Sequence, residues 1–232
     1  MAPGKVRGVI FDLFGTLICN LRREEFEQIL SGISDSLSLS SQEFVRLWNE
    51  TWEKRSIGYF STLEKDIGYI SQMLGTRPKV ELLAEGAQSL RKFAQLVLTR
   101  RREDAAETLN TLRKSGYKSG LITNCAANIP SVWNETSLGQ WIEAPVFSSM
   151  VGVRKPSREI YALACERLSL LPEQCIYVAD GNDGELTGAL AAGLNPVLFR
   201  APDEDPYDEG LDRKKWTGAA ISRLAEILEL VN

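Results

Sequence analysis

The sequence predicts an α/β protein: a Rossmann-like core with a doubly wound parallel sheet, into which an α-helical bundle is inserted. Two observations support this prediction. Short apolar runs, typical of strands buried on both faces, recur at residues 6–13, 118–124, 145–151, 175–180 and 196–200. Between the first and second of these runs, residues 20–98 show only the periodicity of amphipathic helices.

Helical patterns separate the later apolar runs. One pattern ends at Gly116, another follows Pro156, and a third ends at Gly193. Glycine fits the end of a helix and proline fits its first turn. A further helical pattern, residues 221–231, closes the chain. Alternating strands and helices of this kind predict right-handed crossovers and a parallel sheet.

The inserted region contains apolar stripes at residues 26–37, 44–52, 63–74 and 83–97. Ser40 or Ser41 is a candidate cap for the second helix, and Thr62 for the third. Amphipathic helices bury such stripes by packing as a bundle. We therefore predict a core formed by residues 1–18 and 99–232, and a helical domain formed by residues 19–98.

Composition excludes several classes of function. The chain has 232 residues, a net charge of −4 and no histidine. Without a basic surplus, nucleic acid is not expected as a partner. Without histidine, His-based triads and HExxH zinc sites are excluded, so catalysis must use carboxylates, Lys, Arg, hydroxyls or Cys.

The cysteines and the hydropathy indicate the compartment. None of the four cysteines forms a CxxC pair, which favours free thiols in a reducing compartment. No segment approaches the roughly 18 apolar residues of a membrane helix. We expect a cytoplasmic protein without a membrane partner, either monomer or homodimer. The acidic stretch at residues 203–210 is predicted to be a surface loop.

Polar residues lie at the predicted carboxyl ends of the strands, where open α/β sheets bind ligands. They follow the first, second, third and fourth runs in turn, and they are Asp12 and Thr16, Thr123 and Asn124, Lys155, and Asp180 with Asn182, Asp183 and Glu185. These acids, the lysine and the hydroxyls are expected to converge on one crevice. Such a set suits covalent carboxylate catalysis on a small anionic substrate.

Four motifs resemble those of the haloacid dehalogenase superfamily. They are residues 11–17 (FDLFGTL), residues 121–124 (LITN), Lys155-Pro156 with Ile160-Tyr161, and residues 177–193. Their order covers nearly the whole chain. The resemblance implies that the inserted helices form the cap domain found between the first two motifs in many members.

The resemblance also implies roles for the residues at the strand ends. Asp12 is the expected nucleophile, since a carboxylate can attack phosphorus or carbon to form an aspartyl intermediate. Thr123 offers a hydroxyl and an N–H to a substrate oxyanion, and Lys155 supplies a fixed positive charge. We expect Thr16, Asn124 and Phe14 to contact the substrate.

A Mg²⁺ ion is the cofactor that the resemblance implies. Its expected ligands are Asp12, the backbone carbonyl of Phe14, Asp180 and Glu185. Oxygen ligands and one or two carboxylates are typical of magnesium sites. Glu185 is expected to act either directly or through a water molecule.

Phe14 departs from the pattern of the superfamily's phosphatases, which usually place a second Asp two residues after the nucleophile. That Asp exchanges protons with the leaving group and water, and Phe cannot. The dehalogenase branch has an aromatic residue there, but usually lacks an acid at the place of Asp180. Three hypotheses stay open: a Mg²⁺-dependent phosphatase of a small phosphate monoester, a 2-haloacid dehalogenase, and a phosphate-binding protein with little turnover.

Within the helical region, two features have alternative interpretations. Trp48 and Trp52 are core residues or a substrate platform, and Arg55 is a solvent-exposed side chain or reaches a substrate anion.

Overall fold

The computed structural model describes residues 5–201 and 212–231. Its strands form one six-stranded sheet with the order β3-β2-β1-β4-β5-β6. All neighbouring strands are parallel. The strands are β1 (Gly8–Phe11), β2 (Lys118–Thr123), β3 (Ala144–Phe147), β4 (Cys175–Ala179), β5 (Asn195–Phe199) and β6 (Ala220–Ile221). The predicted doubly wound α/β core is therefore confirmed.

Strand β1 lies at the centre of the sheet and is buried on both faces. Val9 and Phe11 belong to one hydrophobic cluster, whereas Ile10, between them, belongs to another. Successive side chains of a strand point to opposite faces, so both faces of the sheet are covered. This explains why the run in the sequence is continuously apolar rather than alternating.

The helices surround this sheet and fill the insertion. They are α1 (Arg23–Ser36), α2 (Ser41–Glu50), α3 (Trp52–Ser56), α4 (Leu63–Met73), α5 (Val80–Leu98), α6 (Ala105–Lys114), α7 (Asn128–Val132), α8 (Ser148–Val151), α9 (Arg158–Leu168), α10 (Glu185–Ala191) and α11 (Ile227–Leu230). Gly116 and Gly193 follow α6 and α10 in the left-handed conformation, as the sequence predicts.

Helices α1, α2, α4 and α5 share a hydrophobic cluster of their own. The Ser40 hydroxyl accepts a hydrogen bond from the Glu43 N–H, and the Thr62 hydroxyl accepts one from the Lys65 N–H, so both predicted caps are present. The end of α5 packs instead against the sheet through Phe93 and neighbouring residues. The division at residues 18/19 and 98/99 stays a prediction.

Three local predictions were wrong. The run 145–151 leaves the strand after Phe147, because the Ser148 hydroxyl bonds to the backbone N–H and carbonyl of Cys125 and the chain turns into α8. Helix α9 begins at Arg158 rather than at Pro156, because residues 154–157 form a turn in which the Ser157 N–H donates to the Arg154 carbonyl.

The third wrong prediction concerns the end of the chain. Ile221 lies in β6, whose backbone pairs with β5, and the closing helix is only the short α11. Neither β6 nor α3 was predicted, because both are too short to show a period. The acidic stretch 203–210 lies outside the described residues. Across the ranges 5–201 and 212–231, the helices all fall short of the length and apolarity needed to cross a membrane.

Candidate active site

The polar residues predicted at the strand ends line one pocket of about 270 Å³ at the carboxyl edge of the sheet. We call it the acidic pocket, and its lining is Asp12, Phe14, Asn20, Thr123, Asn124, Lys155, Asp180, Asn182, Asp183 and Glu185. Parallel pairing of β1 with β2 and β4 brings these residues together, because the three strands end at one edge. Thr16 is buried nearby but does not line the pocket.

Lys155 lies at the centre of the acidic pocket and is only 3% exposed. Its ammonium group forms ion pairs with Asp12 and Glu185 and donates a third hydrogen bond to the Tyr177 hydroxyl at 3.2 Å. The lysine therefore holds a carboxylate from the end of β1 close to one at the start of α10.

Glu185 is fixed by groups from several elements. Its carboxylate accepts hydrogen bonds from the Tyr177 hydroxyl at 2.7 Å and from the Gly181 N–H at 3.1 Å. Its backbone carbonyl accepts a hydrogen bond from the Tyr161 hydroxyl at 2.8 Å. Buried carboxylates require such partners, since an unpaired buried charge is costly.

Asp180 follows β4 and is 2% exposed. The Asn182 side chain donates to its carboxylate at 2.8 Å, and the Arg213 guanidinium contacts the same oxygen at 3.2 Å. Arg213 also donates to the backbone carbonyl of Asp180 at 2.9 Å. The side chain and the backbone of Asp180 are thus held by one arginine.

Gly15 has to be glycine because of Asp180. Its φ of +79° is in the left-handed region, and an added Cβ would lie 2.2 Å from Oδ2 of Asp180. The motif's glycine therefore allows the backbone after Asp12 to approach the second carboxylate.

Asn124 lies against Lys155. Its side-chain oxygen accepts the Lys155 N–H at 2.8 Å, and its amide donates to the Lys155 carbonyl at 3.2 Å and to Asp183 at 2.9 Å. This predicted substrate contact thus positions the lysine segment. The buried hydroxyls of Thr16 and Thr123 have no hydrogen-bond partner within the described ranges, so Thr123 can donate to a ligand in the pocket.

Burial is the largest influence on the pKa values of Asp12 and Asp180. It raises the pKa of Asp12 to about 7, although attraction to Lys155 opposes the shift. It raises the pKa of Asp180 to about 9, and repulsion from Glu185 and Asp12 adds to the effect. For Lys155, burial acts to lower the pKa, but Asp12 and Glu185 outweigh it, so the net pKa is raised and the lysine stays charged.

The three carboxylates form a candidate site for a divalent cation. One ligand oxygen from each of Asp12, Asp180 and Glu185 lies within 4.8 Å of the others, and all three residues are buried. Lys155 and Arg213 supply two positive charges against these three acids. Burial raises the pKa of both Asp12 and Asp180, and repulsion between the neighbouring acids adds to the shift; an oxygen-preferring cation would stabilise their ionised forms.

A family model for haloacid dehalogenase-like hydrolases matches residues 6–193 of the chain. The chain belongs to this family. It is a hydrolase, and the resemblance seen in its four motifs is confirmed.

Named relatives of the hydrolase carry out two different reactions. The glyceraldehyde 3-phosphate phosphatase of Methanopyrus kandleri is 26% identical, over 95% of this chain and 99% of its own. The (S)-2-haloacid dehalogenase 1 of a Pseudomonas species is 20% identical, over 96% of each chain. The hydrolase is thus more similar to this phosphatase than to this dehalogenase.

Solved structures show the same fold. A HAD phosphatase from Thermococcus onnurineus aligns with a TM-score of 0.65 and 21% identity, over 98% of both chains. A HAD family enzyme from Bacteroides thetaiotaomicron, solved with magnesium and inorganic phosphate, aligns with a TM-score of 0.64 and 17% identity, over 87% of this chain and 98% of its own.

A second cavity, of about 280 Å³, adjoins the acidic pocket of the hydrolase. We call it the apolar cavity. Its lining is Phe14, Leu21, Phe26, Trp48, Asn49, Trp52, Arg55, Phe93, Ala94, Val97, Asn124, Cys125, Ala126, Asn128 and Ile129. Phe14 and Asn124 line both spaces, so they form the wall between them.

Arg55 is 3% exposed, so its interpretation as a solvent-exposed side chain was wrong. Its guanidinium lies 4.0 Å from the ring centroid of Trp48 and donates to the Trp48 carbonyl at 2.5 Å and to the Thr51 hydroxyl at 3.3 Å. Both tryptophans line the cavity, and Trp48 is also buried in the helical cluster. Stacking on the tryptophan holds the arginine in the wall.

Sequence reasoning missed Arg213 and Asp212. The Asp212 carboxylate accepts hydrogen bonds from the N–H groups of Leu186 and Thr187, at 2.7 and 3.0 Å, at the start of α10. Neither residue lies at the end of a predicted strand. The only signal in the sequence was a charged pair beyond β5, which is common in surface loops.

Proposed function

We propose that this hydrolase is a Mg²⁺-dependent phosphatase that hydrolyses a small phosphate monoester, with Asp12 as the nucleophile. The observation that supports it most is the buried cluster of Asp12, Asp180 and Glu185, in which Asp12 and Glu185 pair with the Lys155 ammonium. This arrangement places a nucleophilic carboxylate beside an excess of acid oxygens, as a bound cation and a phosphate require.

The proposed reaction begins with the phosphate of the substrate in the acidic pocket. Lys155 and the unpartnered hydroxyl of Thr123 hold its oxygens, and the pocket orients its phosphorus toward the Asp12 carboxylate. Asp12, Asp180, Glu185 and the proposed carbonyl of Phe14 would hold a Mg²⁺ ion, which would supply positive charge to stabilise the phosphoryl group. Asp12 forms a bond to phosphorus as the bond to the leaving oxygen breaks.

In the second step, water attacks phosphorus and the bond between phosphorus and Asp12 breaks, which regenerates the carboxylate. Lys155 stabilises that carboxylate through its ion pair. Phe14 offers no group for proton transfer, and general acid–base help is worth roughly a hundred- to ten-thousandfold in rate. We therefore expect slow turnover for substrates that need such help.

Two relatives support the phosphatase proposal. The Methanopyrus kandleri relative, which aligns over 95% of this chain and 99% of its own, is a glyceraldehyde 3-phosphate phosphatase. The Bacteroides thetaiotaomicron enzyme of the same fold binds magnesium together with inorganic phosphate.

The test is release of inorganic phosphate from acetyl phosphate and from an aryl phosphate, with Mg²⁺ and with a chelator. We expect activity that requires Mg²⁺ and is lost in Asp12→Asn. Activity that persists in Asp12→Asn would contradict the proposed nucleophile, and activity that persists after chelation would contradict the proposed cofactor.

Carbon–halogen hydrolysis is the second candidate function. It is favoured by Phe14, because halide leaves without a proton, and by the dehalogenase relative. In that reaction Asp12 attacks carbon and forms an ester intermediate. Chloride release from 2-chloropropionate that survives chelation, with no phosphate release from either ester, would establish this function instead.

A phosphate-binding protein with little turnover is the third candidate, because Phe14 removes the usual acid–base group. It predicts that Asp12 is phosphorylated by acetyl phosphate to one equivalent per chain, with no sustained release of phosphate. Intact-mass measurement over time separates this outcome from turnover.

We also propose a cytoplasmic location and a monomeric or homodimeric state. The four cysteines are free thiols in the structure, which fits a reducing compartment. Light scattering of the purified chain tests the oligomeric state.

A further inference from the structure

The apolar cavity begins where the leaving group of a phosphate ester would lie. Phe14 and Asn124 line both spaces, which meet at these residues, so an ester with its phosphate beside Asp12 extends past Phe14 into the cavity. This placement rests on the proposed phosphatase function. Its consequence is that the cavity determines what the phosphate is attached to.

Most of the cavity wall is hydrocarbon or aromatic. A cavity of about 280 Å³ exceeds the roughly 150 Å³ of an apolar cavity that binds benzene, so it can hold a bicyclic ring system. Four polar residues contribute to the wall: Asn124 bonds to the Lys155 segment, Arg55 bonds to Trp48 and Thr51, and Asn49 and Asn128 supply two further amide groups. The hydroxyl groups of a polyol would lose water there without gaining enough partners.

Of the described residues, the two that line both spaces, Phe14 and Asn124, cannot protonate the leaving oxygen efficiently. Phe14 has no exchangeable proton, and Lys155 donates to Asp12, Glu185 and Tyr177. Among the described residues that line the cavity, the titratable side chains are Arg55 and Cys125. Arginine stays protonated in proteins, and a buried thiol is a weak donor.

A leaving oxygen that departs without a proton must be weakly basic. A phenol has a pKa of about 10, whereas an aliphatic alcohol is close to water, at about 16. An aromatic leaving group therefore satisfies both the hydrocarbon wall and the missing acid.

We propose that the substrate is a phosphate monoester of an aromatic hydroxyl, whose ring occupies the apolar cavity and whose oxygen leaves as a phenolate. The Asp12 carboxylate oxygen bonds to phosphorus, the bond between phosphorus and the aryl oxygen breaks, and the electron pair departs with that oxygen, which then takes a proton from solvent. Water hydrolyses the aspartyl phosphate, and its proton passes to the released phosphate and solvent.

The experiment compares three esters with Mg²⁺: 1-naphthyl phosphate, glycerol 1-phosphate and acetyl phosphate. We expect kcat/KM for naphthyl phosphate to exceed that for glycerol phosphate by roughly a hundredfold or more. Acetyl phosphate, with a small and weakly basic leaving group, tests phosphoryl transfer itself. If acetyl phosphate is hydrolysed, and glycerol phosphate is hydrolysed as fast as naphthyl phosphate or faster, this inference is overturned and the proposed function is not. No hydrolysis of any of the three overturns the proposed function and this inference with it.

Two substitutions test separately the lack of an acid for the leaving oxygen and the fit of the ring in the apolar cavity. Phe14→Asp introduces an acid and should raise kcat/KM for glycerol phosphate relative to naphthyl phosphate, by roughly a hundredfold, whereas Phe14→Leu should not change that ratio. Ala94→Phe fills the cavity and should raise KM for naphthyl phosphate relative to acetyl phosphate, by roughly tenfold. Circular dichroism checks that each variant folds, and Ala126→Leu provides a second cavity-filling variant. Unchanged ratios in the folded variants overturn the inference.

Discussion

The acidic pocket and the apolar cavity are adjacent, but the first is lined by charged side chains and the second mainly by apolar ones. The pocket buries Asp12, Asp180 and Glu185 with two cations, and it lies where parallel strands end. The cavity is lined mainly by aromatic and aliphatic side chains, many of them from the inserted helices. The strand ends therefore supply the buried charges, and the helices supply much of the apolar surface.

Loss of the nucleophile should have the largest effect and should act on the pocket alone. We expect Asp12→Asn to reduce kcat by roughly 10⁴-fold or more, because the covalent step is removed. The exposed Asp35→Asn on α1 is the matched loss of charge and should keep the wild-type rate. Steady-state phosphate release measures both variants, and near-normal turnover by Asp12→Asn would show that another group attacks.

Removal of the metal should have the second-largest effect. It should impair the acidic pocket and leave the apolar cavity unchanged. Chelation is expected to lower phosphate release by roughly a thousandfold, since a cation contributes several kcal/mol of charge stabilisation. Binding of 1-naphthol, monitored by quenching of tryptophan fluorescence, should not change, because the described residues that line the cavity include no carboxylate. Loss of naphthol binding on chelation would mean that the two spaces are one coupled site.

The glycine that lies against Asp180 offers a smaller effect. Gly15→Ala places a Cβ 2.2 Å from Oδ2 of Asp180, so we expect the carboxylate to shift and the Mg²⁺ requirement to rise by roughly 10- to 100-fold.

Gly116→Ala is the matched control for Gly15→Ala. Its φ is +81° and nothing lies within 4 Å of the added Cβ, so it carries the same backbone cost, about 1–2 kcal/mol, without the contact. Mg²⁺ titration of activity and urea unfolding of both variants distinguish displacement of Asp180 from simple backbone strain. An equal Mg²⁺ requirement in both variants would contradict the role given to Gly15.

The smallest predicted effect is a pH dependence of stability caused by Asp66 on α4. Burial raises the pKa of Asp66 to about 7, and Arg55 opposes this shift only in part. Because the folded state binds the proton more tightly than the unfolded chain, Asp66 makes stability fall as pH rises from about 4 to about 7, and the loss is complete above that. Between pH 6 and pH 8 its contribution to the free energy of unfolding should fall by about 1 kcal/mol.

Asp66→Asn removes this titration, so the variant should be stabilised relative to the original chain more at pH 8 than at pH 6. Urea unfolding at the two pH values measures the difference. A difference that is independent of pH would show that Asp66 titrates normally in the folded protein.

Some features of the site were predictable because they depend on local sequence. Asp12 and Asp180 directly follow buried apolar runs, and parallel strands bring the residues after their carboxyl ends to one edge. Arg213 and Asp212 were not predictable, because they come from a segment without periodicity and reach Asp180 and α10 only after folding. Asn124 was predicted as a substrate contact, and only the folded chain shows its bonds to the Lys155 backbone.

The amino-acid sequence alone was sufficient for the doubly wound core, the amphipathic helices and the set of strand-end acids. The physical reason is that hydrophobic periodicity and strand ends are properties of neighbouring residues. The tertiary structure alone decided the ion pairs of Lys155 with Asp12 and Glu185. It also decided the cavity behind Phe14. These features require side chains that are distant in the chain to pack together, and no local pattern in the sequence specifies that packing.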